Sequence, residues 1–135
     1  MKKKLKYFLK EDKYTNCSIA YGHFTTIHQG HIRYLKYAKS LSKLLLVAII
    51  GNDENYRFNQ NERAEGLELL RITDGIILLN KNELDEVVEK LKPINLVLGK
   101  EFENSNDHII IKTINFQISK NKKVHFHAGE VNYFN

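Results

Sequence analysis

The sequence has little cysteine and no long apolar run, and these absences narrow what the protein can be. Cys17 is the single cysteine among 135 residues, which excludes an internal disulfide framework and fits a reducing cytoplasm. We expect Cys17 to be a small buried residue on the first strand. No apolar run approaches the roughly 20 residues of a membrane helix, and the basic start lacks the apolar segment of a signal peptide. These features predict a cytoplasmic protein without membrane contact.

Positive charge is concentrated at the amino terminus. The formal net charge is +5, and residues 1–13, with six lysines against Glu11 and Asp12, supply +4 of it. We therefore predict a solvated basic arm over residues 1–13 and one domain over residues 14–135. Such an arm can contact nucleic acid or anionic lipid. No nucleic-acid-binding motif accompanies it, so nucleic acid is not an expected partner.

Strand and helix patterns alternate along the rest of the chain. A continuous apolar run at 44–50 and shorter runs at 17–21, 75–79, 96–98 and 124–127 predict five strands. Helical spacing of apolar residues predicts four intervening helices, near 32–41, 62–70, 83–92 and 110–118. This order predicts an α/β fold, with a Rossmann-like parallel five-stranded sheet and helices on both faces.

The loop after the first predicted strand is the most informative segment. Ligands of parallel sheets bind beyond the carboxyl ends of the strands, where this loop lies. Residues 22–31 read GHFTTIHQGH, so His28 and His31 lie at the start of the next predicted helix. Because the amino end of a helix attracts anions, two histidines there indicate chemistry on a phosphate. The loops after strands two, four and five should converge on the same edge.

This block, with the IRYLKYAK that follows it, resembles the cytidylyltransferase-like nucleotidyltransferase superfamily. The resemblance continues through ERAE at 62–65, LKPINLVLGKEF at 91–102 and VHFHAGEV at 124–131. The superfamily includes glycerol-3-phosphate and phosphocholine cytidylyltransferases and the adenylyltransferase domain that acts on heptose phosphate. The resemblance implies transfer of CMP or AMP from CTP or ATP to a phosphorylated sugar or polyol. Pyrophosphate leaves, and Mg²⁺ usually accompanies the triphosphate.

The resemblance also implies roles for individual residues and a molecular context. His28 and His31 are the expected catalytic residues, which donate hydrogen bonds to phosphate oxygens. The expected nucleotide-binding residues are Gly22, His23, Phe24, Gln29, Gly30, Asp53, Arg57, Arg63, Gly99, Glu101, Gly129 and Glu130. No residue is assigned to a metal site. A homodimer, or fusion to a ribokinase-like sugar kinase, is the expected context.

Three departures from the family pattern bear on activity. Thr25 stands where an aspartate is usual, and the loop at 51–61 lacks the usual lysine, for which Arg57 is the candidate substitute. The Ser/Thr-rich segment that normally continues the last signature does not follow Gly129. Two alternatives therefore stand beside the main hypothesis. One is a heptose-phosphate adenylyltransferase, and the other is a catalytically degenerate nucleotide-binding or scaffold domain.

Several candidate residues also allow a purely structural interpretation. His28 and His31 can cap and pack the helix, and with His23 they have a spacing that suits zinc, although no cysteine or carboxylate completes the set. His125 and His127 share one strand face, where they either contact substrate or pack. Tyr34 and Tyr37 either stack on a base or belong to the core and an interface. Asp53 and Glu54 either contact Mg²⁺ or ribose or form a solvated turn, and Arg63 either reaches phosphate or forms a surface ion pair.

Overall fold

A computed structural model describes residues 2–8, 14, 16–52, 57–80 and 83–129. Its strands are β1 (Lys2–Lys4), β2 (Cys17–Gly22), β3 (Leu44–Ile49), β4 (Gly75–Leu78), β5 (Asn95–Gly99) and β6 (Lys123–His127). Its helices are α1 (Leu5–Phe8), α2 (Gln29–Ser40), α3 (Gln60–Leu69), α4 (Leu84–Leu91) and α5 (His108–Ser119), with a 3₁₀ turn at Lys100–Phe102. Within these ranges, no helix combines the length and apolarity needed to cross a membrane.

The strands form one parallel sheet in the order β1-β4-β3-β2-β5-β6. All five predicted strands are present, so the predicted Rossmann-like α/β fold is confirmed. After β2, the strands β3 and β4 are added on one side of β2. The later strands β5 and β6 are added on its other side. This reversal opens a crevice at the carboxyl ends of β2 and β5, which is where ligands of such sheets bind.

The basic amino-terminal segment differs from the solvated arm that the sequence predicted. Residues 2–4 add a sixth strand along β4, so this part is not a solvated arm. The side chains of Phe8 and Tyr14 are 1% and 2% exposed and meet edge to face at 5.2 Å. Lysines are typical of edge strands, where they discourage pairing with other chains. The prediction of an arm rested on these lysines and did not take the buried aromatic rings into account. Residues 9–13 lie outside the described part.

Both faces of the sheet are covered, as predicted. Ile19 and Tyr21 of β2 pack in the cluster that includes α4 and α5, while Ala20 between them packs in the cluster that includes α2 and α3. This alternation follows from the two-residue period of a strand. Cys17 is fully buried in the first cluster, and burial raises the pKa of its thiol to about 12, which confirms a core role.

Candidate active site

A cleft of about 720 Å³ opens at the crevice between β2 and β5. The loops after β2, β3, β5 and β6 all contribute to its lining, which is the convergence that the sequence predicts. Lining residues that were predicted from the sequence are Gly22, His23, Phe24, His28, Gly30, His31, Arg57, Gly99, Glu101 and Gly129.

The loop after β2 has an unusual backbone conformation at Phe24. The backbone of Phe24 has a φ of 53°, a left-handed conformation that is unfavourable for a bulky residue. Its ring is buried under Gly22, where a Cβ would stand 3.1 Å from Cε2 of Phe24, and it lies 5.6 Å from the ring of His31. Glycine at position 22 therefore leaves room for the ring that holds this loop in place.

His28 and His31 form a reciprocal cap at the start of α2. The N–H of Gly30 donates to Nδ1 of His28 at 3.0 Å, and the N–H of His28 donates to Nδ1 of His31 at 3.2 Å. The two rings lie 4.1 Å apart. Because both Nδ1 atoms accept backbone hydrogen bonds, the proton of each neutral imidazole lies on Nε2.

The cap thus gives the two histidines a structural role and also determines which ring nitrogen of each can donate a hydrogen bond. Burial lowers the pKa of His31, the neighbouring His28 lowers it further, and the carboxylate of Glu101 acts in the opposite direction. His31 is therefore neutral at pH 7, with Nε2–H as its donor. Two such donors at the amino end of α2, where unpaired N–H groups and the helix dipole also favour anions, suit a phosphate.

The turn after β6 packs against the same helix end. Nδ1 of His127 accepts the N–H of Gly129 at 2.8 Å, and the carbonyl of Gly129 accepts a hydrogen bond from Nε of Arg33. Gly129 has a φ of 74°, and a Cβ there would stand 2.6 Å from the carbonyl oxygen of Gly30. Only glycine allows this approach, which supports the position predicted for Gly129 at the site.

The two histidines of β6 differ in their surroundings. His127 lines the cleft, and its ring stacks on Tyr37 at 4.6 Å. Nδ1 of His125 lies 3.1 Å from the hydroxyl of Tyr37, and its Nε2 lies 3.0 Å from Oδ1 of Asn95. Burial lowers the pKa of His125, as does the charge of Lys123. His125 therefore packs beneath the site, while His127 reaches it.

Arg63 is placed differently from its predicted nucleotide-binding role. The side chain is 3% exposed, and it donates to the carbonyls of His23 at 2.7 Å, Gly51 at 3.1 Å and Phe58 at 3.2 Å. A five-donor guanidinium can join several carbonyls at once, so Arg63 ties the loop after β2 to the loop after β3. It positions the cleft wall instead of lining the cleft.

Three other predicted residues are not among the lining. Gln29 is exposed on the first turn of α2 and does not line the cleft, because its side chain leaves the helix on another face from that of His31. Asp53 and Glu130 lie outside the described residues. Their predicted contacts with nucleotide stay predictions.

Sequence reasoning left several lining residues out of the predicted site. They are Tyr21, Thr25, Thr26, Tyr34, Phe102, His127 and Ala128. All but Tyr34 adjoin predicted residues in sequence or lie within two positions of one. Tyr34 lies one helical turn after His31, a spacing that could have indicated it. Its buried hydroxyl accepts the N–H of Tyr21 at 3.1 Å and donates to the carbonyl of Val97, so it joins β2, β5 and α2.

The described residues give the cleft little formal charge. Among the described lining residues, Arg57 is the one with a permanent positive charge, and Glu101 is the one carboxylate. The Glu101 side chain folds back over Gly99 at the end of β5. In the same described ranges, no group of three His, Cys, Asp or Glu side chains is placed to hold a metal ion.

The cytidylyltransferase-like family model matches residues 19–129, from within β2 to the turn after β6. FAD synthase of Pyrococcus abyssi is 34% identical over 89 residues, which are 59% of this chain and 60% of that protein. FAD synthase of Methanothermus fervidus is 34% identical over 92 residues, 62% of this chain and 63% of that protein. The matched segment thus spans about 60% of the length of these curated relatives.

Two solved structures show the same fold. A lipopolysaccharide core biosynthesis protein from Thermoplasma volcanium superposes with a TM-score of 0.64 at 24% identity, over 82% of this chain and 93% of that one. Pantothenate synthetase from Thermus thermophilus superposes with a TM-score of 0.61 at 11% identity, over 93% of this chain and 60% of that one. With its His28–His31 block at the crevice of this fold, the chain belongs to the cytidylyltransferase-like family.

Proposed function

We propose that this protein is a nucleotidyltransferase that joins a nucleoside monophosphate to the phosphate of a small acceptor and releases pyrophosphate. The observation that carries the proposal is the reciprocal cap of His28 and His31 in the cleft. It fixes two Nε2–H donors at the amino end of α2, where the charge that develops on a reacting phosphate can be stabilised.

The reaction follows from this arrangement. An oxygen of the acceptor phosphate attacks the α-phosphorus of the triphosphate, the bond from that phosphorus to the bridging oxygen breaks, and pyrophosphate departs with the electron pair. The nucleophile is already an anion, so no side chain has to remove a proton. The chain holds the two phosphates in line and donates hydrogen bonds to the α-phosphate oxygens through His28, His31 and the first turn of α2.

Mg²⁺ fits this site as an ion brought in with the nucleotide. It prefers octahedral oxygen ligands and is often held by one or two carboxylates together with substrate phosphates. Glu101 is the described carboxylate in the cleft, and the triphosphate would supply further oxygens. When bound, Mg²⁺ would neutralise part of the phosphate charge. The single positive charge of Arg57 would offset only a small part of it.

For the two substrates, we propose ATP or CTP as donor and a phosphorylated sugar or polyol as acceptor. The curated relatives favour a specific second candidate, which is transfer of AMP from ATP to FMN, because they are FAD synthases. FMN is itself the phosphate ester of a polyhydroxylated chain, so one arrangement of donors suits both acceptors.

The direct test is pyrophosphate release by the purified protein with Mg²⁺ and either ATP or CTP. The acceptor panel contains sugar phosphates, polyol phosphates, heptose phosphate and FMN, with product masses recorded for each pair. We expect one nucleotide and one acceptor class to support turnover. His28→Asn, which keeps the helix cap but lacks the ring donor, should remove that turnover.

The same experiment separates the non-catalytic alternative. A protein that binds nucleotide by calorimetry but releases no pyrophosphate with any acceptor would be a degenerate nucleotide-binding domain. A protein that binds neither ATP nor CTP in the presence of Mg²⁺ would contradict both hypotheses.

A further inference from the structure

A second cavity, of about 440 Å³, adjoins the cleft. The two spaces share the wall formed by Phe24, Thr25 and Thr26, in the loop after β2. Thr26 is exposed in this wall, so a molecule with its phosphate beside His28 and His31 can extend over it into the second cavity. No predicted or proposed role so far uses this space.

The second cavity has an apolar floor and an acidic side. Ile27, Phe58 and Leu69 supply the apolar surface, and Phe58 and Leu69 are 39% and 75% exposed. Glu62 and Glu65 of α3 supply two carboxylates. Among the residues that line the second cavity, the positive charge is that of Arg63, whose N–H groups donate to backbone carbonyls.

The glycine of α3 belongs to the same wall. Gly66 lies inside a helix, where glycine costs roughly 1 kcal/mol relative to alanine. A Cβ at this position would stand 3.2 Å from Cδ1 of Ile27, and Gly66 lines the cavity. The small residue keeps this space open.

We infer that the second cavity binds the uncharged, hydroxylated body of the acceptor, while the acceptor phosphate lies in the cleft. This inference rests on the proposed nucleotidyl transfer. The shared wall offers hydroxyls at Thr25 and Thr26, and carboxylates are strong acceptors for the hydroxyls of a polyol. The apolar floor suits a carbon face of a sugar, or the ring system of FMN beyond its hydroxylated chain.

Charge further restricts the acceptor. With two carboxylates against one guanidinium, the second cavity disfavours a second anionic group on the acceptor body. Thr25 itself has no charge, so it does not repel the acceptor phosphate that lies across the wall. We therefore expect monophosphates to be accepted and bisphosphates of the same polyol to be rejected.

The first test fills the cavity from α3. Gly66→Leu places a branched side chain in the cavity and also improves the helix propensity, so the fold should persist, as a thermal melt would verify. We expect the acceptor KM to rise about tenfold or more, the loss of roughly 1.4 kcal/mol of binding. The nucleotide Kd should be unchanged, and Gly66→Ala should raise the acceptor KM less than Gly66→Leu, because its methyl group fills less of the cavity.

The second test reverses charge. Glu65→Lys should narrow the preference for the monophosphate over the bisphosphate acceptor, while Glu68→Lys, on the same helix but outside both cavities, should leave it unchanged. Sugar phosphate and FMN form separate arms, because the longer body of FMN should suffer the larger penalty in Gly66→Leu.

Each outcome decides the inference. Turnover with an acceptor KM unaffected by Gly66→Leu would overturn it while leaving nucleotidyl transfer intact. Absence of turnover with any nucleotide and acceptor would contradict the proposed function, and the inference with it. A dimer in sedimentation that Leu69→Asp dissociates without changing the acceptor KM would assign this surface to a second copy of the chain instead.

Discussion

Gly129 lies against Gly30 so closely that a Cβ on Gly129 would stand 2.6 Å from the carbonyl oxygen and 2.9 Å from the Cα of Gly30. The two glycines are 99 positions apart in sequence, in the turn after the last strand and in the first turn of α2. Their contact joins the turn after β6 to the helix end that displays His28 and His31. The order of the candidate site thus depends on a contact between two backbones.

Gly129→Ala should disturb the site more than its small size suggests. The added methyl group meets backbone, which has no rotamer to change, and the φ of 74° is unfavourable for alanine. We expect a loss of about 1–3 kcal/mol in the free energy of unfolding and weaker nucleotide binding. Denaturant titration and calorimetry would measure both. Gly66→Ala, where the added methyl meets only the flexible end of Ile27, is the matched control.

Substitutions of His28 should separate capping from chemistry. His28→Ala removes both the acceptor for the Gly30 N–H and the ring donor, so we expect about 1 kcal/mol less stability and loss of turnover. Asparagine is a favourable N-cap residue, and His28→Asn should recover the stability without the turnover. A thermal melt and a pyrophosphate assay on the two variants would test this. Turnover in His28→Asn would contradict the role of the imidazole.

Arg63→Lys should uncouple the loops that Arg63 holds together. One ammonium cannot reproduce the planar fork that serves the carbonyls of His23, Gly51 and Phe58. Since these carbonyls, one in a buried and two in partly buried hydrogen bonds, then lose their donors, we expect a destabilisation of about 1–3 kcal/mol and a raised KM for the nucleotide. Arg71→Lys, on the exposed surface after α3, should change neither quantity. A normal melt for Arg63→Lys would contradict the positioning role.

Phe8→Ala should destabilise the domain although it lies in the basic segment. The phenyl ring is buried against Tyr14, and loss of such a ring typically costs about 3–5 kcal/mol. Tyr7→Ala, at the adjacent position that is 46% exposed, should have a much smaller effect. Denaturant unfolding of the two variants decides between an integral strand-helix segment and a solvated arm, for which both substitutions would be neutral.

Stability should fall as the pH drops through the range in which histidine gains its proton. The folded state lowers the pKa of His31 and His125 below 6.5, chiefly by burial, so folding favours their neutral forms. Their contribution is complete above pH 6.5 and is lost as the pH falls through the lower folded-state pKa. We expect the free energy of unfolding to decrease between pH 7.5 and 5.5, and less steeply in His125→Gln.

The elements predicted best from the sequence are those in which apolar side chains recur at the spacing of a strand or a helix. The run at 44–50 and the amphipathic α4 are read from residues near one another in the chain. The block at 22–31 was equally local, because a loop, a glycine and two histidines at a helix start imply an anion site wherever the rest of the chain lies.

The failures of prediction have a common cause, which is distance along the chain. Arg63 and His23 are 40 positions apart, and nothing local shows that a guanidinium will meet that carbonyl. Phe8 lies among lysines, and nothing near it in sequence indicates that it is buried. Its burial depends on β4, whose Gly75 lies beside the ring. The alternation of His125 and His127 left substrate contact and packing both open for each, and His127 reaches the cleft because β6 pairs with β5.

The sequence by itself determined the order of strands and helices and the histidine block at a helix start, because each depends on residues within about one helical turn or one strand of each other. The parallel sheet followed from the alternation of those strands and helices. Only the tertiary structure decided which groups surround that block. Gly129 meets Gly30, Arg63 joins two loops, and the second cavity adjoins the first, since side-chain directions and backbone approach are fixed only when the strands align and the helices pack.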